Sequence, residues 1–507
     1  MERLSKSFIS SHENKLDPQG LARKPLPIKV LQFGEGGFLR GFVDWMIHRM
    51  NSRGIFNGKV LVVQPIPTGR IKTLNEQDGL YTLLRRGLDQ GKPVEEMEVI
   101  TSISRGINPY EEFDTFLEIA SREDIRFIVS NTTEAGIVLD EKDSFNANPP
   151  RSFPGKLTRF LWERYKRMEG RTDKGFIILP CELIDRNGDT LKQIVCTLAK
   201  RWTEDPEFLS WIEKANTFYN TLVDGIMTGY PKDEIQALQK KLGYQDDLFD
   251  TGELFHLWVI EGPSTIRAEF PLDEAGMNVV WTHDMTPYRT RKVRILNGAH
   301  TMTALGACMA GIETVKESLD DPVFSRYLRE GIFKEIIPVL TLPERELEEF
   351  AESVLERFAN PFIKHYWSSI ALNSCAKYKA RVLPTLLEYR DKFQRPPRLL
   401  CWSLAALIAC YRSTEWKGEA LQGVGAKGRY EIRDDRPVLE FFYNLWSENK
   451  GIDPAKTEGI VKRVLTESSL WGKDISSPPL TQIVTEYLRE ILKNGAYASL
   501  KQTLQDT

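Results

Sequence analysis

Apolar and polar positions follow two different rhythms in this chain. From Ile28 the order is IKVLQFG, a short β-rich apolar run closed by glycine. FLRGFVDWMIHRMN follows, with apolar positions at helical spacing, and KVLVVQP at 59–65 reads as a second strand. The first ordered element is therefore expected at 28–34. Strand, turn, helix and strand together have the size of a nucleotide-binding half-domain. YTLLRRGLDQGKPVEEMEVITSIS predicts a hairpin turning at Asp89-Gln90-Gly91-Lys92. EEFDTFLEIASRE is helical, and IRFIVSNTTEAGI and FIILPCELIDRNG each run as a strand into a polar loop. Such alternation implies an α/β domain with a mostly parallel sheet covered on both faces.

After about residue 280 strand signals nearly vanish. LNGAHTMTALGACMAG, REGIFKEIIPVL, ERELEEFAESVLERF, RLLCWSLAALIACYR and LTQIVTEYLREILKNG all carry helical periodicity. The expected organisation is a Rossmann-type dinucleotide-binding domain over 25–280 and a mostly α-helical substrate domain over 281–507, joined around WTHDMTPYR. WVIEGP and NVVWTHD are strand-like and fit either domain.

Composition narrows the function. With 507 residues, 41% hydrophobic and 27% charged, the chain has the make-up of a soluble multi-domain protein. Its 68 basic and 71 acidic residues leave a net charge of −3, so no overall field recruits nucleic acid or an anionic membrane. No apolar run is long enough to span a bilayer, and MERLSKSFISSHENKLDPQG reads as a polar lead-in, not a signal peptide. The six cysteines form no C-x-x-C pair, which suits reduced thiols and a cytoplasmic setting. The six histidines are dispersed without a ligand-like pattern, so metal use is not expected.

Two stretches carry chemistry. LQFGEGGFLRGF places Gly34, Gly36 and Gly37 between the first strand and the first helix. A pyrophosphate needs backbone amides at close range and the positive end of a helix. The run is G-x-G-G and not the full G-x-G-x-x-G, because Leu39 holds the third position. Arg40 in the first turn is read either as a phosphate contact or as a solvated surface group. The second strand ends at Gln64, with neither a carboxylate nor an adjacent Arg to select NAD or NADP, although Arg70 follows.

The second stretch is RKVRILNGAH. At about 100° per residue, Lys292, Asn297 and His300 fall at roughly 0°, 140° and 80°, one arc of a helix. A lysine desolvated between apolar walls has its ammonium disfavoured and moves toward acid/base strength. Asn297 and His300 then orient an oxygen. The alternative is a solvated Lys and a satisfied core His. The position near a domain junction, where ligand clefts tend to lie, favours the site.

K-x-R-x-L-N-G-x-H resembles the signature of the polyol-specific long-chain dehydrogenases, the mannitol dehydrogenase family. F-G-E-G-G-F-L-R, N-T-T-E-A-G-I at 131–137, T-L-V-D-G-I-M at 221–227, W-V-I-E-G-P at 258–263, R-F-A-N-P at 357–361 and Lys377 before R-V-L-P agree in order. The resemblance implies a Rossmann-type domain, a helical substrate domain, no metal, and hydride transfer with NAD(H), NADP(H) not being excluded. It implies Lys292 as general acid/base, Asn297 and His300 as polarising partners, Lys377 and Asp224 in the substrate cleft, and Glu134 beside the reacting centre. It adds Phe38, Asn131 and Thr132 to Gly34, Gly36, Gly37, Arg40 and Gln64 as cofactor residues.

Two departures from the mannitol-type pattern bear on substrate. Glu182-Leu183 stands where an Asp-Asn pair is usual, and Arg289 stands where a Glu is usual. An Arg fork binds a carboxylate at two points, so Arg289 is a candidate for a sugar acid's carboxylate, or else a surface Arg. The expected reaction is reversible reduction of a keto-uronate to an aldonate. A keto-uronate of different hydroxyl stereochemistry, a plain hexitol and a nucleotide-sensing role without turnover are the alternatives. Oligomeric state stays open.

Overall fold

The computed structural model describes residues 1–133, 135–413, 415–449 and 454–505. They form two compact units, 1–87 with 93–285, and 88–92 with 286–507.

In the first unit a six-stranded parallel sheet holds Ile28–Phe33 (β1), Lys59–Val63 (β2), Ile103–Ile107 (β3), Phe127–Ser130 (β4), Ile177–Pro180 (β5) and Thr217–Phe218 (β6), numbered within the sheet. Their spatial order is 3-2-1-4-5-6. This is the doubly wound dinucleotide-binding order, whose ligand crevice opens beyond the carboxyl ends of the strands where the order reverses, here β1 and β4. Successive side chains of a strand point to opposite faces. Val30, Val60, Val62, Phe127, Val129, Ile177 and Leu179 enter one buried core, and Leu31, Phe33, Leu61, Val63, Ile128 and Ile178 enter the other. Burial on both faces is why these strands read as continuous apolar runs.

Two smaller sheets complete the unit. The hairpin Tyr81–Asp89 and Lys92–Ile100 pairs with Asp250–Gly252, and Asn220–Asp224 pairs antiparallel with Leu257–Glu261, which pairs with Val279–Thr282. The strand-like WVIEGP and NVVWTHD thus belong to the first unit. The lead-in is not merely polar, and 28–34 is not the first ordered element. Lys6–Ser11 is a helix capped by Ser5, and Leu4, Phe8 and Ile9 join a core with Leu80, Val99 and Tyr244.

The second unit is mainly helical. Arg398–Cys410 is buried from Leu399 through Cys410, and an all-round apolar helix belongs in a core. It packs against Gly298–Ala310, where the Trp402 ring lies so close to Gly306 that a β-carbon there would sit 2.5 Å from Trp402 Cη2. A three-stranded meander, Trp416–Lys417, Ala420–Gly425 and Gly428–Ile432, escaped the sequence reading because its strands are short, glycine-rich and without a regular alternation of buried and exposed positions. Among the described residues no helix is long and apolar enough to cross a membrane.

Candidate active site

The loops after β1 and β4 meet at the reversal point of the sheet. Gly34 has φ +122°, and a β-carbon there would lie 2.8 Å from the Asn131 carbonyl oxygen, so only glycine fits. Asn131 is fixed by its N–H to Phe33 O at 3.1 Å and by Nδ2 to Cys181 O at 2.8 Å. Gly36 caps the following helix without a side-chain hydrogen bond, and a β-carbon at Gly36 would meet nothing within 4 Å. The first N–H groups of a helix have no intrahelical partner. An open, positive, side-chain-free helix start fits a pyrophosphate. Gly37 lies over Asp250, and Phe38 stacks on Phe42 with centroids 5.0 Å apart.

Arg40 matches neither of its expected readings. The helix makes a π turn over Arg40–Asp44, and the Arg40 guanidinium is buried. Its donors go to Glu35 O, Leu248 O and Asp250, the last at 3.5 Å. Burial still pushes the Asp250 carboxyl up to about 6. Arg40 thus holds the helix start in place from beneath. Gln64 is also turned inward, donating to Ile66 O at 2.9 Å and Pro67 O at 3.2 Å.

Thr132 spends both donors on a carboxylate the sequence reading gave no role. Its N–H and hydroxyl reach Glu182 Oε1 at 2.9 and 3.0 Å, and Ser130 Oγ reaches Oε2 at 3.0 Å. Burial raises the Glu182 carboxyl above the ordinary range despite these donors. Glu182 ties the loop after β5 to the loop after β4. Asp224 is the last residue of its strand and is buried opposite Leu257. Glu134 lies outside the described residues.

In the second unit Lys292–Asn297 is a π turn running into the helix Gly298–Ala310. The α-helical angles expected from sequence therefore do not hold: i→i+5 bonding widens the turn and brings positions 292 and 297 onto about one face. Two neighbours of Lys292 anchor the turn on opposite sides. Arg291 pairs with Glu346 at 2.6 Å over the Phe350 ring, and Arg294 pairs with Glu388 at 2.9 Å and donates to Thr385 Oγ1 at 2.7 Å. Of the three basic residues in RKVR, the outer two hold the segment. Lys292 between them and Asn297 are half-buried.

His300 is buried and its Nε2 has no hydrogen-bond partner among the described residues. Its ring stacks on Phe358 at 4.3 Å and meets His365 edge-on at 5.0 Å. Two of the dispersed histidines thus converge. Burial above all, and then His365, Arg357, Arg381 and Lys377, hold the ring well below its ordinary value and therefore neutral. A neutral imidazole has an N–H to offer an oxygen without adding a charge. Lys377 donates to Ile370 O at 2.9 Å. Arg289 is exposed on the helix Thr286–Arg291. Among the described residues no three His, Cys, Asp or Glu side chains gather as a metal site.

His365 and Arg381 had no assigned role in the sequence reading. His365 has no local motif. Arg381 carried one signal, its place one helical turn after Lys377.

The chain matches the mannitol dehydrogenase Rossmann domain over residues 28–274 and the mannitol dehydrogenase C-terminal domain over 284–492. It is 46% identical over 477 residues to a protein named altronate oxidoreductase from Bacillus subtilis, covering 94% of this chain and 95% of that one. A Yersinia pestis protein of the same name is 47% identical, covering 94% and 96%. Among solved structures it resembles Pseudomonas fluorescens mannitol 2-dehydrogenase, crystallised with NAD and D-mannitol, at TM-score 0.68 and 22% identity, with all of both chains covered. It also resembles a D-sorbitol dehydrogenase at TM-score 0.78 and 23% identity, covering 98% of this chain and all of the other. Both domains in order, and close relatives along nearly the whole length, make this chain a member of the mannitol dehydrogenase family.

Proposed function

We propose that the protein is a tagaturonate reductase, that is, an altronate oxidoreductase, which interconverts the keto-uronate and its aldonate with NAD(H). The observation that carries this reading is identity of 41–47% along 94% or more of the chain to relatives named altronate oxidoreductase.

The helix start at Gly36 and Gly37, the glycine turn at Gly34, and Phe38, Asn131, Thr132 and Gln64 are the groups proposed to hold the dinucleotide. When bound, the nicotinamide supplies a hydride to the carbonyl carbon or takes one from the alcohol. Lys292 Nζ gives the proton to the carbonyl oxygen during reduction. Asn297 and the neutral ring of His300 donate hydrogen bonds to that oxygen as its charge develops. In oxidation neutral Lys292 takes the hydroxyl proton, so oxidation gains rate as pH rises. Lys377, Asp224 and Arg289 are the proposed substrate contacts, and Glu134 is the proposed group beside the reacting carbon.

The test is NADH oxidation at 340 nm with tagaturonate, fructuronate and fructose offered in parallel, repeated with NADPH. Preference for tagaturonate with NADH is the expected result. Preference for fructuronate corrects the stereochemistry alone, and turnover of fructose alone overturns the sugar-acid reading. Near-normal kcat in Lys292→Ala overturns the lysine assignment.

A further inference from the structure

Lys377 and Arg381 stand four residues apart on the helix Ser374–Arg381, a spacing that puts two side chains on one face. The end of that helix touches the catalytic segment. A β-carbon at Gly298, between Asn297 and His300, would lie 3.4 Å from the Arg381 carbonyl oxygen. Lys377, Arg381, Arg357 and His365 all bear on His300. Lys377 and Arg381 thus bring positive charge close to an imidazole nitrogen that has no hydrogen-bond partner among the described residues.

Among the described residues Lys377 and Arg381 have little countercharge. Asp434 is the one carboxylate among the described residues that acts on Lys377. Its oxygens already accept from the Tyr411 hydroxyl and from the Cys375 and Asp435 N–H groups. Arg381 is half-buried, and its guanidinium makes no hydrogen bond or ion pair among the described residues. Other inward-turned arginines are partnered, among them Arg40, Arg85 and Arg164 by carbonyls and Arg291 and Arg294 by carboxylates. Partial burial disfavours the Arg381 charge, and among the described residues no acidic neighbour offsets it. A desolvated cation left unpaired is costly in a folded chain, and a ligand anion relieves that cost.

We propose that Arg381 binds the carboxylate of the sugar-acid substrate, with Lys377 as the second cation. The planar fork takes the carboxylate at two points, which fixes one end of the substrate and so presents the reacting carbon toward the His300 end of the segment. A neutral hexitol leaves this fork unused. Arg381 therefore selects acids over polyols, a role the sequence suggested for the exposed Arg289. The inference rests on the sugar-acid reading above and names the group that reads the acid.

The experiment compares wild type, Arg381→Ala, Arg381→Lys and Arg289→Ala with tagaturonate and with the neutral ketohexose tagatose. In Arg381→Ala the KM for tagaturonate is expected to rise tenfold or more, with a smaller fall in kcat and no rise in KM for tagatose. Arg381→Lys, which keeps the charge but loses the fork, is expected between the two and serves if the alanine variant does not fold. Binding is read separately as thermal stabilisation by altronate against altritol in the presence of NADH. Wild type is expected to respond to altronate alone, and Arg381→Ala to lose that response while keeping its stabilisation by NADH. An unchanged tagaturonate KM, or equal rises for both ketoses, overturns the proposal, as does equal stabilisation of wild type by altronate and altritol. Failure of wild type to turn over any keto-uronate overturns the functional reading instead, and the altronate–altritol comparison still decides Arg381.

Discussion

Three glycines lie within four residues of each other, yet the structure separates what two of them do. Gly34 is conformational. Its φ of +122° costs an alanine about 1–3 kcal/mol. Its β-carbon would also press to 2.8 Å against the carbonyl of Asn131, a residue whose N–H and Nδ2 hold it by two hydrogen bonds, and such overpacking adds about 1–3 kcal/mol. Gly34→Ala should therefore lose about 2–6 kcal/mol in the first unit, roughly 5–20 °C in its thermal midpoint, with or without cofactor. Gly36 is different. Its φ of −66° and ψ of 162° suit any residue, and a β-carbon would enter open space. Gly36→Ala should leave the midpoint unchanged or raise it slightly, because a compatible Gly→Ala change restricts the unfolded chain by about 0.4–1 kcal/mol. The methyl group would stand before the first-turn amides, and NADH affinity should fall at least tenfold, about 1.4 kcal/mol. Thermal unfolding with and without NADH, and NADH titration by energy transfer from tryptophan, measure the two effects separately. Wild-type NADH affinity in Gly36→Ala would refute the idea that this helix start holds the pyrophosphate.

Removing the anchor of the π turn should show in catalysis as well as stability. Glu346→Ala strips the countercharge from Arg291, whose side chain is 6% exposed. Glu346 itself is 37% exposed, so the expected loss is about 1–3 kcal/mol and not the larger cost of a fully buried pair, with a fall in kcat exceeding any change in NADH affinity. Glu182→Ala leaves Thr132 and Ser130 donors unsatisfied, at about 2–3 kcal/mol in denaturant titration, and should weaken NADH binding more than Glu182→Gln does. His256 Nε2 accepts the Asn278 N–H at 3.0 Å, and burial lowers its pKa from 6.5 to about 4. The unfolded chain therefore binds a proton first, so this residue's contribution is present above pH 6.5 and is lost as pH falls toward 4, by at most about 3 kcal/mol. His256→Gln should lose less stability than wild type across that interval, and equal pH slopes would remove His256 from the account.

The sheet was legible because burial on both faces forces unbroken apolar strands, and IKVLQF, KVLVV, FIVS and IILP have few other ways to hide their side chains. KVRILNGAH was legible as chemistry because its three functional residues are close in sequence. Its geometry was not, since a π turn differs from an α turn by a single residue and leaves no period to read. Arg40 and Gln64 were assigned outward roles from their places in the loops. Their inward turn depends on Asp250, Leu248, Ile66 and Pro67, partners that no local pattern announces. Glu182 and Arg381 depend likewise on loops and helices brought together by the fold. The short N-terminal helix hides only Phe8 and Ile9, too few apolar positions to set a rhythm.

The wide turn at Lys292–Asn297 also has a bearing on how this protein can change over time. An α-helix advances about 100° and 1.5 Å for every residue, so dropping one residue from the turn would let it relax to ordinary winding. Four residues of α winding and five of the wide turn each close about one revolution, so Lys292 and His300 would keep nearly the same angle about the axis. What such a deletion removes is the widening itself. The extra residue behaves as an insertion the helix has absorbed: losing it would alter the turn and leave the direction of the helix after it intact.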